Sequence, residues 1–318
     1  MDPKRLLVTG GAGFIGSSLV KFLLGQNNHV TVFDNFSEGN NLQKIKSDHL
    51  CVVKGDLTSV SDFKKIPTQF DIIFHLAADP EVRLTITNPQ SIFSNNIEAT
   101  YHLLEWAKDT TAHTIVFTSS STVYGDADII PTPESNPCRP ISLYGGSKLA
   151  CESLISSYCY TYGKKGIVVR LANIVGPTST HGIIFDMISK LRKNSRELEV
   201  LGDGNQNKSY LYIDDCISGI LSTVEKTDRN FDIYNLGSDS QIAVTEIVDL
   251  ILEILDLPNT TKKFIGGVNG GRGWIGDVKN MLLDIRKIRS LGWKPVLDSK
   301  AAIKKTIQLI EMNKSNLD

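Results

Sequence analysis

Two spacings in this chain are suited to chemistry. In "SLYGGSKLACE", residues 142–152, Tyr144 stands four positions ahead of Lys148 at the start of a helix-like run. Residues four apart share a helix face, so phenol and ammonium become neighbours. A near cation favours phenolate, which makes Tyr144 a candidate general base with its pKa drawn toward neutrality. Upstream, "FTSSSTVYG" ends a strand-like run with hydroxyls at Ser119, Ser120, Ser121 and Thr122. One of them can orient a reacting oxygen, and the spacing leaves open which.

The second constellation opens the chain. "VTGGAGFIGSSLV" places Gly10, Gly11, Gly13 and Gly16 between a strand and a helix. Glycines there let the backbone of Gly10, Gly13, Phe14, Ile15 and Gly16 approach a pyrophosphate and aim amides at its charge. Asp34 follows 18 positions after Gly16 and ends the next strand, "VTVFD", with Asn35 beside it. A carboxylate there accepts from a ribose diol and repels a 2′-phosphate, which favours NAD over NADP. Asp56 and Leu57 in "GDL" suit an adenine, and the small residues of "FHLAA", with Leu76, Ala77 and Ala78, suit close packing against a dinucleotide. His75 in that run reads as a packed core residue.

These groups need a scaffold, and the pattern supplies one. Apolar runs ("RLLVTG", "HVTVFD", "LCVVKGD", "DIIFHLAA", "TIVFTSSS", "GIVVRLAN") alternate with helix-type stretches. Buried strands separated by amphipathic helices imply right-handed crossovers, hence a Rossmann-type doubly wound parallel α/β sheet. After Ala172 the rhythm changes, and a smaller interleaved C-terminal α/β substrate lobe is expected. The expected division is 1–172 plus about 209–237 for the coenzyme domain, and 173–208 plus about 238–318 for the substrate lobe.

Bulk properties narrow the partners. The chain has 318 residues, with 34 basic against 35 acidic side chains and a net charge of −1. Such a balance attracts neither nucleic acid nor an anionic membrane. Five scattered cysteines, never in a CxxC pair, fit reduced thiols rather than zinc ligands or a disulfide framework, so a cytoplasmic setting and no metal are expected. No apolar run is long enough to span a bilayer.

The order and spacing of "TGGAGFIG", "FHLAA", "SSSTVYG", "YGGSK", "RLANIVGP" and "RGWIGD" resemble the extended short-chain dehydrogenase/reductase superfamily, specifically its NAD-dependent nucleotide-sugar epimerase/dehydratase family. The likeness covers nearly the whole chain. It implies that Ser120, Tyr144 and Lys148 are catalytic, that Lys148 also holds the nicotinamide ribose, and that Asn95 and Ser119 face the coenzyme. It further implies a UDP-sugar substrate touched by Ser120, Ser121, Thr122, Tyr144, Asn173, His181 and Leu201, with Lys208 and Arg272 at the diphosphate. Lys208 stands where the family carries arginine, and a lysine lacks the bidentate fork.

Dehydratases and decarboxylases of the superfamily carry an acid beside the catalytic serine, whereas this chain has only hydroxyls there. That favours simple oxidation and re-reduction at one carbon, which the resemblance implies is C4 of a UDP-glucose/UDP-galactose pair. The alternatives are a UDP-glucuronate 4-epimerase, with Thr178, Ser179 and Thr180 as candidates to hold a C6 carboxylate, another epimerase/dehydratase, or an NAD-binding regulator. A homodimer is expected through "SIFSNNIEATYHLLEWAKD" and the helix that begins at "SLYGGSK".

Overall fold

The alternating pattern folds into β1 (Arg5–Thr9), α1 (Phe14–Gly25), β2 (His29–Asp34), β3 (Leu50–Lys54), β4 (Ile72–His75), α2 (Pro89–Ile92), α3 (Ala99–Ala107), β5 (Thr114–Ser120), α4 (Leu143–Tyr162) and β6 (Lys165–Leu171). The computed structural model describes residues 2–82, 88–265, 267–268 and 270–315, so Gly266 and Asn269 of the glycine-rich stretch lie outside the described residues. A seven-stranded sheet runs in the order Phe231–Leu236, β6, β5, β4, β1, β2, β3. The pairs β2/β3, β1/β2, β1/β4 and β4/β5 are parallel. Strands buried on both faces need apolar residues at consecutive positions, and Leu6, Leu7 and Val8 meet that need, as do Ile73, Phe74, Val116 and Phe117.

Chain order reverses on either side of β1, and in open α/β sheets ligands bind beyond the carboxyl ends of the strands at such a switch point. The expected chemistry sits at those ends. Thr9, Asp34, His75 and Ser120 close β1, β2, β4 and β5.

His75 is buried between Thr9 Oγ1, 2.8 Å from Nδ1, and Thr100 Oγ1, 2.9 Å from Nε2. Thr100 donates its own proton to Asn96 O, so Nε2 carries the ring hydrogen and Thr9 donates to Nδ1. Desolvation first, and the neighbouring Lys148 second, lower this histidine to about 3. It is a neutral structural residue, as its place in an apolar strand suggested.

The expected dimer helix 91–109 is not uniform. Between α2 and α3 the six residues Phe93–Glu98 form a π turn. Such insertions occur mostly at functional sites, and this one carries Asn95 and Asn96.

The chain divides into two units. The first comprises residues up to 123, 143–170 and 220–234, and the second 124–142, 171–219 and 235–318. The expected boundaries differ from this division at 124–142 and 209–219, segments whose bonds run within the second unit. Thr132 N donates to Leu282 O at 2.8 Å and Asp284 N to Thr132 O at 2.9 Å, and the Tyr124 hydroxyl donates to Asn235 Oδ1 at 2.8 Å. Likewise Tyr210–Tyr212 pairs in parallel with Asn173–Val175. The second unit adds the helices Ile183–Lys193, Val244–Ile254 and Ser299–Ser315, together with a strand pair, Glu197–Leu201 against Thr261–Ile265. No helix among the described residues is long and apolar enough to cross a membrane.

Candidate active site

In the first unit, the glycine turn between β1 and α1 is shaped by steric exclusion. A Cβ on Gly10, whose φ is +68°, would lie 2.6 Å from Ala77 N, and one on Gly16 would lie 2.0 Å from Gly10 O. Those two glycines let strand, turn and helix pack. Gly13 differs, since a Cβ there would meet nothing nearer than 3.5 Å. Its bareness has no internal cause, and it caps α1 without a side-chain hydrogen bond. An open, uncapped helix start fits the close approach of a dinucleotide's pyrophosphate to the amides of Phe14, Ile15 and Gly16.

Asp34 fastens this turn. Its Oδ2 accepts from Ala12 N at 2.9 Å and its Oδ1 from Phe36 N at 2.7 Å, which leaves one lone pair on each oxygen for a ribose diol. Asn35 Nδ2 donates to Asp56 Oδ2 at 3.1 Å, so the structure brings the two expected adenine-end residues together. Asp56 is lowered below its ordinary value; desolvation opposes this, while bonds from Asn35 and Thr58 outweigh it. Leu57 is buried in the core cluster, and Leu76, Ala77 and Ala78 are half-buried after β4. Asn95 lies in the π turn and donates to Ser91 Oγ at 3.0 Å. Its neighbour Asn96, which the sequence reading passed over, is buried and donates to Ser147 Oγ at 2.9 Å while accepting from Asp79 N at 2.7 Å. Ser147 in turn donates to Tyr144 O. Asn96 thereby ties the loop after β4 to the first turn of α4.

The serine left open by spacing is singled out by hydrogen bonds. Ser119 is buried and donates to Glu152 Oε1, so its hydroxyl faces inward. Ser121 is buried as well. Ser120 is half-buried and acts on the Tyr144 phenol, opposing the rise in its pKa. It accepts from Thr122 N at 3.2 Å and Thr122 Oγ1 at 2.9 Å. Two accepted bonds occupy its lone pairs and turn its own O–H outward as a donor. Thr122 therefore orients Ser120.

Lys148 is buried, with Nζ donating to Thr118 O at 3.0 Å and lying 5.8 Å from the Tyr144 ring centre. Burial lowers it to about 8. The phenol end of Tyr144 is enclosed, and desolvation pushes it up to about 12, with Ser120 opposing and Asp79 adding to the rise. The expected lowering joins Lys148 with the positive nicotinamide ring, and the chain alone supplies only the lysine. Lys148 faces the Thr118 carbonyl, and in the chain alone desolvation wins.

One turn beyond Lys148 stands a pair that no motif announced. Glu152 accepts from Arg170 through both oxygens, Nε to Oε1 at 3.0 Å and Nη2 to Oε2 at 2.7 Å, with both side chains buried. Removing one member of such a pair costs about 3–5 kcal/mol.

In the second unit, Asn173 Nδ2 donates to Ser209 O at 3.0 Å. Lys208 Nζ donates to Asp277 Oδ1 at 2.5 Å and lies 5.4 Å from the Trp274 ring centre. Arg272 makes a forked bond to Asp126 at 3.0 and 2.9 Å and also reaches Asp277 O. Each expected diphosphate cation is therefore already matched with a carboxylate, which sequence distance concealed. Leu201 is half-buried at a strand end and its carbonyl accepts from Gln206 Nε2, while His181 is exposed.

The pattern of the NAD dependent epimerase/dehydratase family matches residues 6–237. A putative UDP-glucose 4-epimerase of Methanocaldococcus jannaschii is 32% identical over 97% of this chain and 99% of its own. Among solved structures, a UDP-galactose 4-epimerase is 40% identical with a TM-score of 0.87, covering 97% of this chain and 99% of its own. The UDP-glucuronic acid 4-epimerase of Bacillus cereus, bound to UDP-glucuronic acid and NAD, is 27% identical with a TM-score of 0.85 over 97% and 99%.

Proposed function

We infer that this chain, which belongs to the NAD-dependent epimerase/dehydratase family, inverts C4 of a UDP-sugar of the glucose/galactose pair through a 4-keto sugar. Its coenzyme is NAD. The observation that carries the reading is Ser120 beside Tyr144, with Lys148 one turn on and no carboxylate side chain among positions 118–122. Bound NAD supplies the hydride acceptor and donor that side chains lack. Ser120 orients the sugar oxygen, and Tyr144 takes its proton and later returns it. Lys148 supports the phenolate charge. Positions 118–122 supply no second acid beside Ser120 to expel water from the keto sugar.

In the second unit, Asn173, Lys208 and Arg272 hold the diphosphate and Leu201 packs on the base, with His181 toward the sugar. A grip on the nucleotide leaves the sugar able to turn. The decisive experiment incubates the purified protein, without added coenzyme, with UDP-glucose, UDP-galactose, UDP-N-acetylglucosamine and UDP-glucuronate. The first two should interconvert with no net coenzyme reduction. A product that keeps a keto group or loses carbon dioxide would sink the epimerase reading and leave the family standing. Inversion of the glucuronate alone would reassign the substrate.

The protein is proposed to act in the cytoplasm as a homodimer. Phe93, Tyr101, Leu143, Tyr160 and Tyr162 are exposed on the π turn, α3 and α4, more apolar surface than a helix against one sheet face requires. Light scattering at micromolar concentration should give twice the chain mass, and a monomer mass counts against the dimer.

A further inference from the structure

Three consecutive residues at the end of β5 meet three successive turns of α4. Ser120 acts on the Tyr144 phenol, Thr118 O accepts from Lys148, and Ser119 Oγ donates to Glu152. Tyr144, Lys148 and Glu152 are spaced by four and again by four, so they line one helix face. The first two pairs hold the groups assigned to proton transfer. The third holds a buried carboxylate clamped by Arg170 of β6, with no role in the chemistry described above.

We propose that Glu152, held by Arg170, is a positioning residue for the reaction: it pins the end of β5 through Ser119 and keeps Lys148 charged. This rests on the Ser120, Tyr144 and Lys148 reading above. The groups around Lys148 leave that task to Glu152. The Phe117 ring lies 4.8 Å away and carries no charge. His75, from β4, is neutral. From α4 itself come Tyr144, kept protonated by burial in the chain alone, and Cys151, whose thiol burial pushes up and holds neutral. Cys151 first and Glu152 second favour the charged ammonium, the thiol only once it has lost its proton, whereas Glu152 is a carboxylate clamped by Arg170. Arg170 is paired with the Glu152 carboxylate, and Asp79 acts on Tyr144.

The sign of the effect follows. A carboxylate raises the pKa of an adjacent ammonium, so its removal lowers it, and a stranded Arg170 lowers it further. Glu152→Gln keeps an acceptor for Ser119 and removes the charge. In that variant the midpoint of Lys148, read from the 13Cε shift in lysine-labelled protein, should fall by about one unit or more. The alkaline limb of kcat should move down with it while KM holds. Glu152→Asp should restore most of the loss, and Glu152→Gln combined with Arg170→Met should lie between.

A folded Glu152→Gln protein with an unmoved Lys148 midpoint overturns the proposal, and so does one with unmoved kcat. The NMR reading is independent of which sugar reacts. A shifted midpoint in a protein inert toward every UDP-sugar would support the positioning role and count against the function reading. If Glu152→Gln fails to fold, Ser119→Ala carries the test, since it deletes a single hydroxyl. It should lower kcat about tenfold, the equivalent of one buried hydrogen bond, and an unchanged kcat overturns the pinning.

Discussion

Tyr144→Phe is expected to lower kcat by about a thousandfold or more while the protein keeps its NAD. General acid–base groups contribute about 10²–10⁴ in rate, and here one oxygen serves as both acid and base in the two half-reactions. The phenol is placed for this. It meets Ser120, whose lone pairs Thr122 occupies, so the serine proton is available to a phenolate or a sugar oxygen. Burial pushes the phenol up to about 12 in the chain alone, so the group is protonated until further positive charge arrives. Loss of one oxygen leaves the ring's packing in place, which is why coenzyme content should not change. The measurement is kcat beside NAD released on denaturation. Residual turnover within tenfold of the parent would move the proton to another group.

Lys148→Met should abolish turnover equally and also weaken NAD retention, yet leave the fold nearly as stable. Burial lowers Lys148 from its ordinary 10.5 to about 8. The folded chain therefore sheds this proton before the unfolded chain does. Stability rises with pH between those values, and the buried ammonium is a burden below them. Its removal relieves about 3 kcal/mol by that measure. It also strands the Thr118 carbonyl, which costs about 1–3 kcal/mol. The two nearly cancel, so unfolding at pH 7 should differ from the parent by less than about 2 kcal/mol. The expected rise of stability toward alkaline pH should flatten in the variant. Any remaining activity should have its acid limb moved upward, because the phenol has lost its cation. Urea unfolding across pH, with rate profiles of both proteins, checks this. A variant with the parent's pH–rate profile would mean that the lysine does not act on Tyr144.

The sequence by itself determined what depends on neighbours along the chain. Strand alternation, the glycine turn before α1, Asp34 at the end of β2 and the shared face of Tyr144 and Lys148 on α4 are set by local sterics and periodicity. The family likeness was legible because those motifs keep a fixed order. Tertiary structure decided what depends on desolvation and on partners far away in the chain. Ser119 is removed from the catalytic choice by Glu152, 33 positions on. Arg272 is matched with Asp126 across 146 positions and Lys208 with Asp277 across 69, so residues read as open cations are half of ion pairs. The segment 124–142 joins the second unit because Thr132 bonds to chain near 283. The direction of the Tyr144 shift in the chain alone is likewise a matter of burial. Spacing places a cation nearby, but the free energy of ionisation is governed by how much water the fold excludes and by which carbonyl the ammonium meets.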